Sequence, residues 1–320
     1  MNSDDAHGTY PMSEIEPASK ATARYLNVIS TKRSGHHAFI SWVQAGSRQR
    51  TQFFNNCAIK KRTLNRVPSL SRELTEPTTL IFNYEGVTPR GVARALSRQQ
   101  STNSIIDKII FVRDPLNVCA SLMHRESNIH AKLFRIMRQM FALKSLLELH
   151  RQEPYFADLI FYNRWLTDGC YRDNVAQQLS LSRSPVSSEI SKFGGGSSFQ
   201  DLSHGGDAAA PKLLTRWKTY KDNSVFQAIV GNPHFVSTFQ DVSSGVIRAA
   251  NGETDFDEER ADYLHRLSRR KTSRTYMDRL IDGFARDQRF FEKIDSRVPR
   301  FYKDAMILNV YLRAALPVAA

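Results

Sequence analysis

Cysteine is scarce in this chain: three among 320 residues, Cys57, Cys119 and Cys170. No Cys-x-x-Cys pair occurs and no histidine stands at metal-ligand spacing from them. A disulfide scaffold and a zinc site are therefore not expected, and the reduced thiols predict a cytoplasmic protein. Long apolar runs are absent as well. None approaches the roughly 20 residues that cross a bilayer, and the N-terminal stretch is polar and acidic, which predicts neither a membrane span nor a leader. A Walker A loop, an internal repeat and a block of basic tail are all missing. What the chain does have is 41% hydrophobic residues with 10% aromatics, enough to bury a sizeable core. It also carries 45 Lys and Arg against 32 Asp and Glu, a net charge of +13. That excess attracts polyanions: nucleic acid, an anionic membrane surface, or a small ligand with several phosphates or sulfates.

Residues 1–22 mix Asp, Ser, Pro and Ala without periodicity and are expected to be a disordered tail ahead of one domain, 23–320. Tyr25 to Ser30 is rich in β-formers, and Ala38 to Val43 is compatible with a helix, giving strand, loop, helix. Strands are expected near Gln52 to Cys57, at Thr79 to Tyr84 and at Lys108 to Val112, with a helix over Arg90 to Gln100. Alternating strands and helices imply an α/β protein with a parallel sheet covered on both faces. Beyond Pro115 the pattern is helical. Ile129, Leu133, Ile136, Met140, Leu143 and Leu147 recur at three- and four-residue steps, and helices are predicted over Tyr162 to Leu179 and Lys212 to Tyr220. Residues 182–211, rich in Ser, Gly and Ala, read by composition as a linker.

The loop after the first strand, Thr31-Lys32-Arg33-Ser34-Gly35-His36-His37, stands where α/β proteins bind ligands. Gly35 lets a ligand approach the backbone, the first N–H groups of the following helix are unsatisfied, and Lys32 and Arg33 add positive charge, so the loop is a candidate anion cradle. The strand Lys108 to Val112 runs into Arg113-Asp114-Pro115, with Asp at the N-cap and Pro at the first helical position. Arg113 then sits at a strand tip, and Ser121 shares a helix face with Asp114, Val118 and Arg125. An arginine and a hydroxyl placed so can grip one phosphate from two directions.

Together, TKRSGHHAF and FVRDPLNVCASLMHR resemble the two nucleotide-binding elements of the sulfotransferase family, whose donor is 3′-phosphoadenosine 5′-phosphosulfate (PAPS). The resemblance implies a three-layer P-loop-like fold with a central parallel sheet and helical C-terminal embellishments. It implies that Lys32, Arg33, Ser34, Gly35, His36 and His37 hold the 5′-phosphosulfate, and that Arg113 and Ser121 hold the 3′-phosphate. It also offers Lys192, Gly194, Gly195, Gly196, Ser197 and Ser198 as a loop over the nucleotide, the alternative being a flexible connector. Tyr162-Asn-Arg-Trp165 and Arg216-Trp217 are similar to segments of bacterial members.

The activity so implied is transfer of a sulfuryl group to a hydroxyl or amine of a small-molecule, lipid or carbohydrate acceptor, without a metal. The protein's task is to position the acceptor and stabilise charge on the departing phosphate, for which Arg33 is the natural candidate. The base that takes the acceptor proton is Glu85, just beyond a strand, or an imidazole of His36 or His37, with His124 a further candidate. Two other readings compete: a P-loop-like ATP-dependent phosphotransferase, and a non-catalytic basic nucleic-acid-binding protein. The first lacks a Walker lysine, and the second leaves the paired loops unexplained. No obligate nucleic-acid partner is expected.

Overall fold

The computed structural model describes residues 23–57, 74–86, 92, 96, 105–125, 129–182, 213–233, 235–240 and 258–269. Its centre is a five-stranded sheet of β1 (Ala23–Ser30), β2 (Arg50–Phe54), β3 (Thr78–Glu85), β4 (Ile105–Val112) and β5 (Asp158–Phe161), in the order β2-β3-β1-β4-β5. Every pairing is parallel. An all-parallel sheet must be covered on both faces, and the alternation of side chains along each strand divides the core accordingly.

One face carries Leu26 and Val28 of β1, Ile81 of β3, and Ile109 and Phe111 of β4. Against it pack α1 (His36–Gly46), through Phe39, Ile40, Trp42 and Val43, and α4 (Tyr162–Thr167) and α5 (Gly169–Gln178), through Trp165, Val175 and Ala176. The other face carries Tyr25, Ile29, Leu80, Phe82, Tyr84, Ile110 and Val112. It is covered by Leu143, Leu146 and Leu147 from the second half of α3 (Ile129–Gln152). The first half of α3 packs instead with α2 (Pro115–Arg125), Trp217, α6 (Ser224–Val230) and α7 (Glu258–Arg269) in a second apolar cluster. Helix, sheet, helix is the three-layer α/β architecture expected of the sequence.

Several details differ from expectation. β5 was not anticipated, because four residues leading straight into a helix, with no turn between, offer no strand periodicity. The helix expected over 162–179 is two helices. Asp168 breaks it by capping α5, its Oδ1 accepting from the Tyr171 N–H at 2.9 Å. Of the helix expected over 212–220, Leu213 and Leu214 are helical and Arg216–Tyr220 is a 3₁₀ turn. β2 starts two residues early and ends at Phe54, where Asn56 turns through φ 54° and the Cys57 N–H still reaches the Asn83 carbonyl. Of the helix expected over 90–100, the described Val92 and Leu96 are helical and buried.

β1 is the strand at which the winding reverses: the chain passes from it toward β3 and β2 on one side, then returns across it to β4 and β5. The carboxyl ends of β1 and β4 therefore flank the crevice where open α/β sheets bind ligands. Both basic turns emerge there.

Candidate functional site

The first loop leaves β1 at Ser30 and enters α1 at His36 by two left-handed residues, Arg33 (φ 66°) and Gly35 (φ 87°). A side chain at 35 has no room: a Cβ there would lie 2.7 Å from Cδ2 of Tyr162, whose ring packs on the loop. The glycine is thus demanded by conformation and by space together. The Lys32 N–H donates to Oε1 of buried Gln139 at 2.7 Å, and the Gly86 N–H to the Ser30 carbonyl at 2.7 Å. Gly86 takes the left-handed φ of 64° and faces the same Gln139 amide. One side chain from α3 therefore supports both the loop and the turn that follows Glu85.

Alternation along β3 sends Asn83 and Glu85 to the α1 face, beside the histidines. His36 is buried. Its Nδ1 stands 3.0 Å from Ser34 Oγ and its Nε2 3.9 Å from Glu85 Oε1. The His37 ring lies 4.2 Å from that of His36 and meets Phe53 edge-on at 6.0 Å. Burial, helped by His37, holds the His36 imidazole well below its ordinary value, and burial pushes His37 down to about 4. Both rings are neutral near pH 7. Glu85 and the loop imidazoles, which the sequence offered as alternatives, are neighbours.

Linkage gives a consequence for folding. Between about pH 6.5 and 4 the unfolded histidines take up protons that the folded ones resist, so protons favour the unfolded chain. Stability contributed by neutral His36 and His37 is present above pH 6.5 and is lost as pH falls through that window. Urea midpoints at pH 7, 5.5 and 4.5 are expected to decline, and a His36→Asn, His37→Asn protein to decline less steeply. Equal slopes would exclude these histidines as the cause.

The second element also folds as read. Asp114 caps α2, accepting from the Leu116 N–H at 2.8 Å. Arg113, buried, sits at the tip of β4 and donates to the carbonyls of Arg33 at 3.1 Å and Leu213 at 2.5 Å, with its guanidinium 4.8 Å from the centre of the Tyr162 ring. The neighbouring Asp114 carboxylate is engaged elsewhere, 2.8 Å from Arg260 Nε. Ser121 is fully buried and is met by Arg216 at 3.5 Å. Burial, and after it the closeness of Arg113 and Arg33, pushes Arg216 down to about 10. Three guanidiniums, Arg33, Arg113 and Arg216, therefore crowd one end of the sheet.

Crowding of like charge with buried hydroxyls is the reverse of what a core tolerates and what a multiply charged anion requires. Orphaned polar atoms lie in the same place: Arg113 Nε, Ser30 Oγ and Thr31 Oγ1 are buried without a hydrogen-bond partner. Such atoms at a strand-end crevice fit the phosphates of a nucleotide. Arg33, Ser34, Gly35, His36, His37 and Glu85 are brought together on one side, Arg113 and Ser121 on the other. Lys32 sits exposed at the loop's outer edge. His124 lies ten residues down α2 from Asp114, roughly 15 Å away at the helical rise, exposed beside Tyr220. Lys192 to Ser198, and the choice between a closing loop and a connector, lie outside the described residues.

Sequence reasoning missed Gln139 and Arg260 as parts of the site, and singled out Tyr162-Asn-Arg-Trp165 and Arg216-Trp217 without giving Tyr162 or Arg216 a role. Among the described residues, no group of three or more His, Cys, Asp or Glu is placed to hold a metal ion, and no helix is long and apolar enough to cross a membrane.

No family model matches the chain, and no curated protein matches it. Among solved structures it is similar to the sulfotransferase domain from the Synechococcus PCC 7002 olefin synthase, with a TM-score of 0.43 and 12% identity. That similarity covers 71% of this chain and 97% of the other.

Proposed function

We propose that this protein is a sulfotransferase that moves a sulfuryl group from PAPS to a hydroxyl or amine of a small-molecule, lipid or carbohydrate acceptor. The observation that carries the reading is the meeting of two basic, hydroxyl-bearing elements at the carboxyl end of the sheet. The loop 31–37 after β1 is joined to Arg113 at the tip of β4 by the hydrogen bond from Arg113 to the Arg33 carbonyl, and Arg216 meets Ser121 on α2 and lies close to Arg113 and Arg33. A nucleotide with phosphates at both 5′ and 3′ positions needs two such sites, whereas ATP needs one and would call for a Walker lysine.

On this reading Ser34, Gly35 and the N-terminus of α1 hold the 5′-phosphosulfate, and Arg33 meets the charge that develops on the departing phosphate. Arg113, Ser121 and Arg216 hold the 3′-phosphate. Glu85 takes the acceptor proton. Lys192 to Ser198 remain candidates for covering the nucleotide.

Thermal shift with adenosine 3′,5′-bisphosphate, ATP with magnesium, and a single-stranded oligonucleotide tests the reading. The bisphosphate at about 100 times its dissociation constant is expected to add roughly 2.7 kcal/mol, with the other two adding far less. Arg113→Ala is expected to remove most of that shift, since it deletes a charge-assisted phosphate contact. Equal stabilisation by ATP would point to the phosphotransferase, and preference for the oligonucleotide to the nucleic-acid reading.

A further inference from the structure

Ser34 Oγ, His36 and Glu85 follow one another: the hydroxyl is 3.0 Å from Nδ1, and Nε2, which makes no hydrogen bond, has the Glu85 carboxyl oxygen 3.9 Å away. Ser34 and His36 are buried and Glu85 is 17% exposed. We infer that anion binding in the first loop loads one proton onto these three groups, making His36 a positioning residue that couples Ser34 to Glu85. The inference rests on the donor reading above and adds to it a coupling between donor binding and proton uptake.

The argument is one of donor and acceptor counting. At 3.9 Å the contact is one of charge and not a hydrogen bond, and an ionised carboxylate there favours the tautomer of a neutral His36 that turns N–H rather than a lone pair toward it. Nδ1 is then a lone pair, and Ser34 Oγ–H must donate to it. In that arrangement Ser34 offers only lone pairs to the loop, which repel an incoming anion. For Ser34 to give its proton to a phosphate or sulfate oxygen, its hydroxyl must rotate and Nδ1 must become a donor. With Nε2–H still facing Glu85, that takes one proton from solvent and leaves an imidazolium between the carboxylate and the bound anion. No covalent bond changes.

The groups around His36 permit this. His37 faces it from α1, Glu85 from β3, Lys32 and Arg33 lie in the loop, Arg113 reaches the Arg33 carbonyl from β4, and Tyr162 packs on Gly35 from α4. The cations disfavour the imidazolium in the empty site. An anion among them offsets that field and reverses the preference. Burial, which holds the ring neutral when the site is empty, makes the change large enough to read.

Isothermal titration calorimetry with adenosine 3′,5′-bisphosphate at pH 7.5, in three phosphate-free buffers of different ionisation enthalpy, counts the protons. At that pH the ligand's phosphates are already ionised, their second pKa being about 6. Wild type is expected to take up close to one proton, and its affinity to fall up to about tenfold per pH unit above 7. His36→Asn, which cannot titrate, is expected to bind with almost no uptake. Glu85→Gln, which frees His36 to carry its proton on Nδ1, is expected to do the same and serves if the histidine variant fails to fold. Wild type that binds without proton uptake, or either folded variant that takes up as much as wild type, overturns the relay alone. Wild type that does not bind the bisphosphate overturns the donor reading and the relay with it.

Discussion

Arg260→Ala is expected to destabilise the fold by about 3–5 kcal/mol, the cost of leaving one partner of a buried ion pair uncompensated. Asp114 is fully buried and Arg260 nearly so, with 2.8 Å between Nε and Oδ2. The Nε–H does not point along the line of a hydrogen bond, so this contact acts through charge. Burial pushes the Asp114 carboxyl up, and Arg260 is the first of the groups that pull it back. The same arginine donates to the Leu214 carbonyl at 2.6 Å, to which Asn117 also donates at 2.7 Å. The Trp217 N–H donates to Asn117 Oδ1. Helix α7 is thus bolted to the start of α2 through the very segment that carries Arg216. Loss of the bolt is expected to lower bisphosphate affinity as well as the urea midpoint, with Arg260→Lys restoring part of each. A change under 1 kcal/mol would show that the pair contributes little beyond its own desolvation.

This network marks the limit of what the sequence discloses. The strands, the first loop and the Asp-Pro helix start are local patterns: β-formers ending in a polar turn, a glycine forced left-handed, a cap two residues from the N–H it accepts. They were legible and they place Arg33, Gly35, Arg113 and Ser121. Gln139, Tyr162, Arg216 and Arg260 act over separations of 46 to 146 residues. Nothing local distinguishes Gln139 from a solvated helix residue, or Tyr162 from core. β5 is hidden for a related reason, since Leu159 to Tyr162 form one apolar run across the end of β5 and the start of α4 that only pairing with β4 divides. Even the rivalry between Glu85 and the loop histidines dissolves only in three dimensions, when β3 brings the carboxylate next to His36.

Glu85→Gln is expected to lower turnover by about 10² to 10⁴, the usual contribution of a general base, while bisphosphate affinity at pH 7.5 stays near wild type. The choice of Glu85 follows from its surroundings. A base must meet the acceptor, and His36 is buried behind the carboxyl, whereas Glu85 is part-exposed. Glu85 is part-exposed, on the α1 face at the tip of β3, with His36 Nε2 3.9 Å behind it. Glutamine keeps the size and the hydrogen bonds but cannot take a proton. Because the acceptor is unknown, the first assay is hydrolysis of PAPS, with water as acceptor, followed by HPLC of the bisphosphate. A Glu85→Gln protein that hydrolyses at the wild-type rate removes Glu85 from the chemistry. If His36→Asn slows hydrolysis instead, and the slowed rate no longer depends on pH between 6 and 8, the imidazole holds the proton and the carboxylate only orients it.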